Sequence, residues 1–161
     1  MYRQLLPFAK EHGVKIATEN MWGWDSAKDH ASPVACSTHD SFLEQVLDVG
    51  DDFLVACVDV GHAEMKGLGT SAAQMIRTLG HHVQALHLHD IDLHKDNHQI
   101  PFSLNIDYGP IVKALKDIDY RGVFTLEADG YLGSVADMDI FEGVCNLQKA
   151  ARRLANIFEI L

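Results

Sequence analysis

Short segments rich in β-branched and apolar residues alternate with stretches of helical periodicity along the whole chain, and this alternation limits the fold more than any other feature. The β-like segments run from Val14 to Glu19, Phe53 to Asp59, Val83 to His89 and Val123 to Glu127. Between them the apolar residues recur at three- and four-residue spacing. Examples are Ala72, Met75, Ile76 and Leu79 ahead of Gly80, and Ile111, Val112, Leu115 and Ile118 behind Asp107 and Pro110. A first helix is expected from Tyr2 to His12. A long last one is expected from Ile140 to Ile160, carried by Val144, Leu147, Ala151, Leu154 and Ile157. Helix starts are marked by Asp107 as an N-cap with Pro110 in the first turn, and by Ser37 and Asp40 in capping-box relation before Phe42, Leu43, Val46 and Leu47. The order α-βα-βα-βα-βα implies a parallel sheet with right-handed crossovers, either open or part of a closed barrel.

The 161 residues, 47% of them apolar, suffice for one core and read as a single domain, 1–161. The formal net charge is -10 and the 13 Lys and Arg are dispersed, so a nucleic-acid partner is disfavoured. Cys36, Cys57 and Cys145 form no C-x-x-C pair, which suggests a reducing, cytoplasmic setting. The opening Met-Tyr-Arg-Gln-Leu-Leu-Pro has no targeting pattern, and no apolar run approaches membrane-spanning length, so no membrane partner is expected. No G-x-G-x-x-G turn follows any β-like segment, leaving dinucleotide binding without support.

Each β-like segment ends on a group that binds metal or moves protons: Glu19, Asp59, His87 with His89, and Glu127. Residues two apart on a strand share a face. Leu54, Ala56, Val58 and Val60 would lie against helices, turning Val55, Cys57 and Asp59 to the other side. The same parity sends Ile16, Leu86, Leu88, Phe124 and Leu126 outward, and Glu19, His87, His89 and Glu127 inward. Parallel α/β folds gather their sites at the C-terminal strand ends, so these groups would meet at one pocket mouth. Three crowded carboxylates repel unless a cation lies among them. Three carboxylates and one neutral imidazole form a hard ligand set suited to Mn²⁺, Mg²⁺ or Co²⁺, with Zn²⁺ as the alternative. His62, three residues past Asp59, would reach a ligand oxygen or cap the next helix, and Trp22 and Trp24 would form an apolar wall or ordinary loop packing.

The segments Thr-Glu19-Asn-Met, Val-Asp59-Val-Gly-His62, Leu-His87-Leu-His-Asp90 and Leu-Glu127-Ala resemble the last four metal-site strands of the xylose-isomerase-like barrel superfamily. Within it, the chain is most similar to the sugar phosphate isomerase/epimerase group, which includes ketose 3-epimerases and inosose isomerases and dehydratases. Type IV apurinic endonucleases share the fold. The resemblance implies a (β/α)₈ TIM barrel of which only the last four strands are present, a half-barrel forming the C-terminal half. It also implies one divalent ion held by Glu19, Asp59, His87 and Glu127, with His62 and His98 near the substrate; the apolar wall of Trp22 and Trp24 would then stack on a sugar face. Asp96-Asn-His98 matches a D-x-H that holds further metal in relatives with three zinc ions. Phe102-Ser-Leu-Asn105 departs from the glycine-containing turn of the family.

The activity so implied is isomerisation or epimerisation of a sugar, sugar phosphate or inosose through a metal-stabilised enediolate, with Glu19 and Glu127 passing the proton on opposite sides of one carbon. The alternatives are a zinc phosphodiesterase of the endonuclease type and an inactive half-barrel serving as an association module. Unpaired sheet edges would invite self-association, as a homodimer or otherwise.

Overall fold

Helix α1 (Tyr2–Glu11) leads into strand β1 (Ile16–Glu19) in the computed structural model, which describes residues 1–134 and 139–161. A short antiparallel hairpin follows, β2 (Gly23–Asp25) and β3 (His30–Ser32), and then α2 (His39–Val49) and β4 (Leu54–Asp59). The one-turn helix α3 (Val60–Glu64), α4 (Ala72–Leu79) and a 3₁₀ turn lead to β5 (Val83–His87). Helices α5 (Tyr108–Asp117), α6 (Asp129–Ser134) and α7 (Ile140–Ile160) complete the chain.

The main sheet is parallel, in the order β1-β4-β5, with Glu19 opposite Cys57 and Asp59 opposite His87. The fourth expected strand, Val123 to Glu127, is reduced to one parallel bridge between Leu88 and Leu126. The Leu88 N–H donates to the Thr125 carbonyl at 2.9 Å, and the Glu127 N–H donates to the Leu88 carbonyl at 3.2 Å. Val123, just before it, is 75% exposed, its carbonyl accepting from the Tyr120 hydroxyl at 3.1 Å while Phe124 packs on Phe158, so the stretch is tied to the helices more than to the sheet. The pairing nevertheless carries Glu127 to the same sheet end as Glu19, Asp59 and His87. These strands and the helices between them are those of an α/β fold built on a parallel sheet.

One face of the sheet carries the core. Ala56 and Val58 of β4, and Leu86 and Leu88 on and after β5, pack with Phe42, Met75, Ile76, Leu79, Ile111, Leu115 and Leu154 from the helices, all buried. A fully buried Leu, Ile or Phe contributes roughly 1.5–3 kcal/mol of transfer free energy. The other face is closed over β4, where Val55, Cys57 and Asp59 are buried, and open over β1, where Ala17 is exposed.

Helix starts follow local chemistry. Asp107 caps α5, its carboxylate accepting from the Gly109 N–H at 2.9 Å. The capping box of α2 is one residue on from the expected Ser37–Asp40 pair and consists of Thr38 and Ser41. Ser37 is fully buried and accepts from the Val34 N–H at 2.7 Å, which takes its hydroxyl away from the helix. At the far end Gly50, at φ 62°, turns the chain out of α2.

Two loops shape the rim above the strand ends. The hairpin is stitched to the body by Ala31 N–H to Lys66 O at 3.1 Å, and Lys66 N–H donates to Leu93 O at 2.9 Å. In the loop after β5, the buried Asp90 carboxylate accepts from the N–H groups of Ile91, Leu104 and Ile106 at 2.9–3.0 Å. Phe102 takes φ 73°, a backbone region that favours glycine, and its ring is held between the Arg153 guanidinium and Tyr108. The loop that departs from the family pattern is therefore ordered by a buried carboxylate and by ring packing. Among the described residues, no helix is long and apolar enough to cross a membrane.

Candidate metal centre

Glu19, Asp59 and His87 are the last residues of β1, β4 and β5, and Glu127 follows the bridge at Leu126. One ligand atom from each of these four side chains lies within 4.8 Å of the others. His87 Nδ1 is 3.0 Å from Glu19 Oε1, 2.8 Å from Glu127 Oε2 and 4.0 Å from Asp59 Oδ2. A single ring nitrogen carries at most one proton, so it cannot serve both glutamates. Glu127 Oε2 is accordingly buried without a hydrogen bond despite its close approach. Hydrogen bonding to Cys57 and to Glu19 raises the His87 imidazole to about 11, its proton standing where positive charge is demanded. A buried oxygen left unsatisfied, beside two more carboxylates and an imidazole aimed at the same point, fits a divalent cation.

Asp59 is held from three sides. Its carboxylate caps α3, accepting from the His62 N–H at 2.7 Å, and lies 3.0 and 3.1 Å from His89 Nε2. Its backbone is clamped by Asn20, whose side-chain oxygen accepts from Asp59 N–H at 2.8 Å while Nδ2 donates to Asp59 O at 2.9 Å. His89 is fully buried, its ring stacked 4.1 Å from that of His98. A Cβ at Gly61 would stand 2.3 Å from His89 Cε1, so only glycine fits there while the imidazole stays in place.

A second group adjoins the first. One ligand atom each from His62, Asp96 and His98 lies within 4.8 Å of the others. His62 Nε2 is 3.0 Å from Asp96 Oδ2, and His98 Nε2 is 3.2 Å from Asp96 Oδ1. Burial opposes charge on His62, yet Asp96 and Asp59 raise it to about 9. Burial likewise opposes charge on Asp96, which His62 nonetheless holds down at about 2. Trp22 Nε1 donates to Asp96 Oδ2 at 3.3 Å.

Every site residue expected from the sequence thus lies in one of two adjoining groups or against them: Glu19, Asp59, His87 and Glu127 in the first, His62 and His98 in the second, Trp22 beside Asp96. Of the two inward histidines, His87 joins the carboxylate group and His89 backs Asp59. Asn20 was not anticipated. Its signal was only its place beside Glu19, where an extended chain turns it away from its neighbour and toward the end of β4.

Known proteins bear on this geometry. The family described as xylose isomerase-like TIM barrel matches residues 2–157. The chain belongs to that family. Among curated proteins, this xylose isomerase-like chain is similar to an uncharacterized protein of Methanocaldococcus jannaschii, 27% identical over 139 residues that cover 86% of the chain and 45% of the relative. Among solved structures it is similar to a D-tagatose 3-epimerase-like protein, at 24% identity and a TM-score of 0.72, covering 99% of the chain and 52% of that structure. It is also similar to D-psicose 3-epimerase with D-tagatose from Clostridium cellulolyticum H10, at 21% identity and a TM-score of 0.69, covering 99% and 53%. The chain spans about half the length of the proteins it matches.

Proposed function

We propose that this chain supplies the last four βα units and the metal centre of a divalent-metal-dependent sugar isomerase or epimerase. The observation that carries the reading is the meeting of three carboxylates and one imidazole from four separate segments, with a buried oxygen of Glu127 left unsatisfied. Glu19, Asp59, His87 and Glu127 would hold Mn²⁺, Mg²⁺ or Co²⁺, with Zn²⁺ as the alternative. When bound, such an ion polarises a substrate carbonyl and so acidifies the neighbouring C–H.

Glu19 and Glu127 are the proton carriers in this reading. They reach His87 Nδ1 from strands on either side of it in the order β1-β4-β5 and the bridge, so a carbon between them is open to a base on each face. Proton removal by one carboxylate and return by the other inverts or moves the stereocentre. His62 and His98, whose ring nitrogens face the Asn20 and Glu127 carbonyls and Asp96, would stand beside the substrate as fixed walls, with Trp22 next to them. His89 and Asn20 would fix Asp59. The epimerase neighbours support this substrate class as likenesses of fold.

Elemental analysis of the protein together with solvent-deuterium exchange into a ketose such as D-tagatose tests the reading. One divalent ion per chain is expected, with exchange abolished in Glu127→Gln while the far-ultraviolet circular dichroism is unchanged. Retained exchange in that variant overturns the catalytic assignment, and a metal-free, exchange-inert protein supports the inactive half-barrel. A zinc phosphodiesterase is the second reading, favoured by the His62–Asp96–His98 group beside the first. About three zinc ions per chain would decide for it.

A further inference from the structure

Beside the two groups lies a cavity of about 550 Å³ lined by Trp22, Trp24, Asp29, His94, Lys95, Asp96 and His98. None of Glu19, Asp59, His87 and Glu127 is among its walls. A molecule seated there is therefore not at the reacting carbon, yet it is close to it. Asp96 Oδ2 touches both Trp22 Nε1 and His62 Nε2, and His62 Nδ1 is 3.7 Å from Glu19 Oε1, so one imidazole separates cavity from carboxylates.

The walls are built and polarised. Trp24 stands edge-on to Trp22 at 6.2 Å and to His94 at 5.3 Å, and remains 39% exposed. The hairpin that carries it is pinned through Lys66 to Leu93. On the facing loop, Asp92 Oδ1 accepts from the N–H groups of His94 and Lys95 at 2.8 and 2.7 Å, and Leu93 and His98 both take positive φ. An exposed indole between fixed walls offers a flat apolar platform, and the exposed Asp29 and Lys95 at its rim offer both signs of charge to hydroxyls. The C–H face of a pyranose with its equatorial hydroxyls matches that combination.

Resting on the proposed reading of the carboxylate group as the reacting centre, we infer that the substrate has two parts: a ketose at Glu19 and Glu127, and a glycosyl ring attached to it that stacks on Trp24. The enzyme so defined acts on a glycosylated ketose in preference to the free monosaccharide. Trp24 and Lys95 are its specificity-determining residues.

Trp22 and Trp24 are the only two tryptophans in the sequence, so intrinsic fluorescence reports this cavity without any need for turnover. The probes are D-fructose and the disaccharide lactulose, which carries a galactosyl ring on the same ketose. Lactulose is expected to quench the emission saturably with a Kd about tenfold below that of fructose. Measured by calorimetry, Trp24→Ala brings the two sugars to within about twofold of each other. Lys95→Ala, an exposed position that leaves packing untouched, weakens lactulose alone. Glu127→Gln keeps the tenfold preference, which separates this inference from the proton-transfer assignment. Equal affinity for the two sugars, absence of saturable quenching by lactulose, or a preference that survives both Trp24→Ala and Lys95→Ala overturns it.

Discussion

Asp59 is fixed by neighbours that have no freedom themselves, and the tightest constraint is at Gly61. A methyl group there would lie 2.3 Å from His89 Cε1 and 2.4 Å from Nε2, and His89 cannot retreat because its ring is stacked on His98. Gly61→Ala is expected to lower unfolding free energy by about 1–3 kcal/mol in urea titration. It should also weaken Mn²⁺ binding, because the displaced imidazole releases Asp59. His87 and His89 make a second contrast. Loss of His87 removes a nitrogen that faces Glu19 and Glu127, whereas loss of His89 removes the contact that holds Asp59 and a ring stacked on His98, but no nitrogen facing either glutamate. Calorimetric titration with Mn²⁺ is expected to show binding abolished in His87→Ala and weakened in His89→Gln; the reverse order would sink the assignment. Strand parity turned both histidines inward but could not rank them, since residues two apart share a face. What separates them is depth: His89 is fully buried beyond the paired end of β5, a property set by the hairpin and loop above it.

At the scale of elements, α4 and α5 pack side by side and are clipped by Asp117, which accepts from Arg77 Nε at 2.9 Å and from Lys113 Nζ at 2.9 Å. Hydrogen bonds from Lys113 and Arg77 hold the Asp117 carboxyl below its ordinary 3.8. A carboxylate with a lowered folded value adds stability above pH 3.8 and loses it as pH falls through that folded value. Asp117→Asn is therefore expected to melt slightly lower than the parent at neutral pH, and together with it in strong acid, where the parent carboxyl is also neutral. The three solvent-exposed partners keep the difference small.

Helical periodicity made α4, α5 and α7 legible nearly to the residue, because each buries one long stripe. The hairpin β2–β3 was not, because three-residue strands show no alternation and Asp29, at φ 52°, turns the chain without a glycine to mark it. Capping was legible in kind but offset by one residue, since Ser37 and Thr38 carry the same hydroxyl chemistry and only burial decides between them. The stretch Val123 to Glu127 has the composition of a strand. It pairs at one residue because pairing also needs a neighbour, which composition does not reveal.

As a whole the molecule presents a three-stranded parallel sheet with β1 at one edge and a single bridge beyond β5 at the other. Val14 beside the first edge is 54% exposed and Val123 beside the second is 75% exposed. Open edges flanked by β-branched residues template further pairing. Light scattering is expected to find this 161-residue chain, taken alone, self-associated in a concentration-dependent way. A monodisperse monomer across the range would count against association through these edges.

The four converging side chains also define an order of events in time. Glu19 and Glu127 lie at far-separated points of the sequence, with Asp59 and His87 between them, so no contiguous piece that folds early contains the whole set. A refolding reaction followed by the visible absorbance of Co²⁺ would rise only when the last segment docks, later than the recovery of helical signal. The cation would act as a clock that starts once every layer has closed.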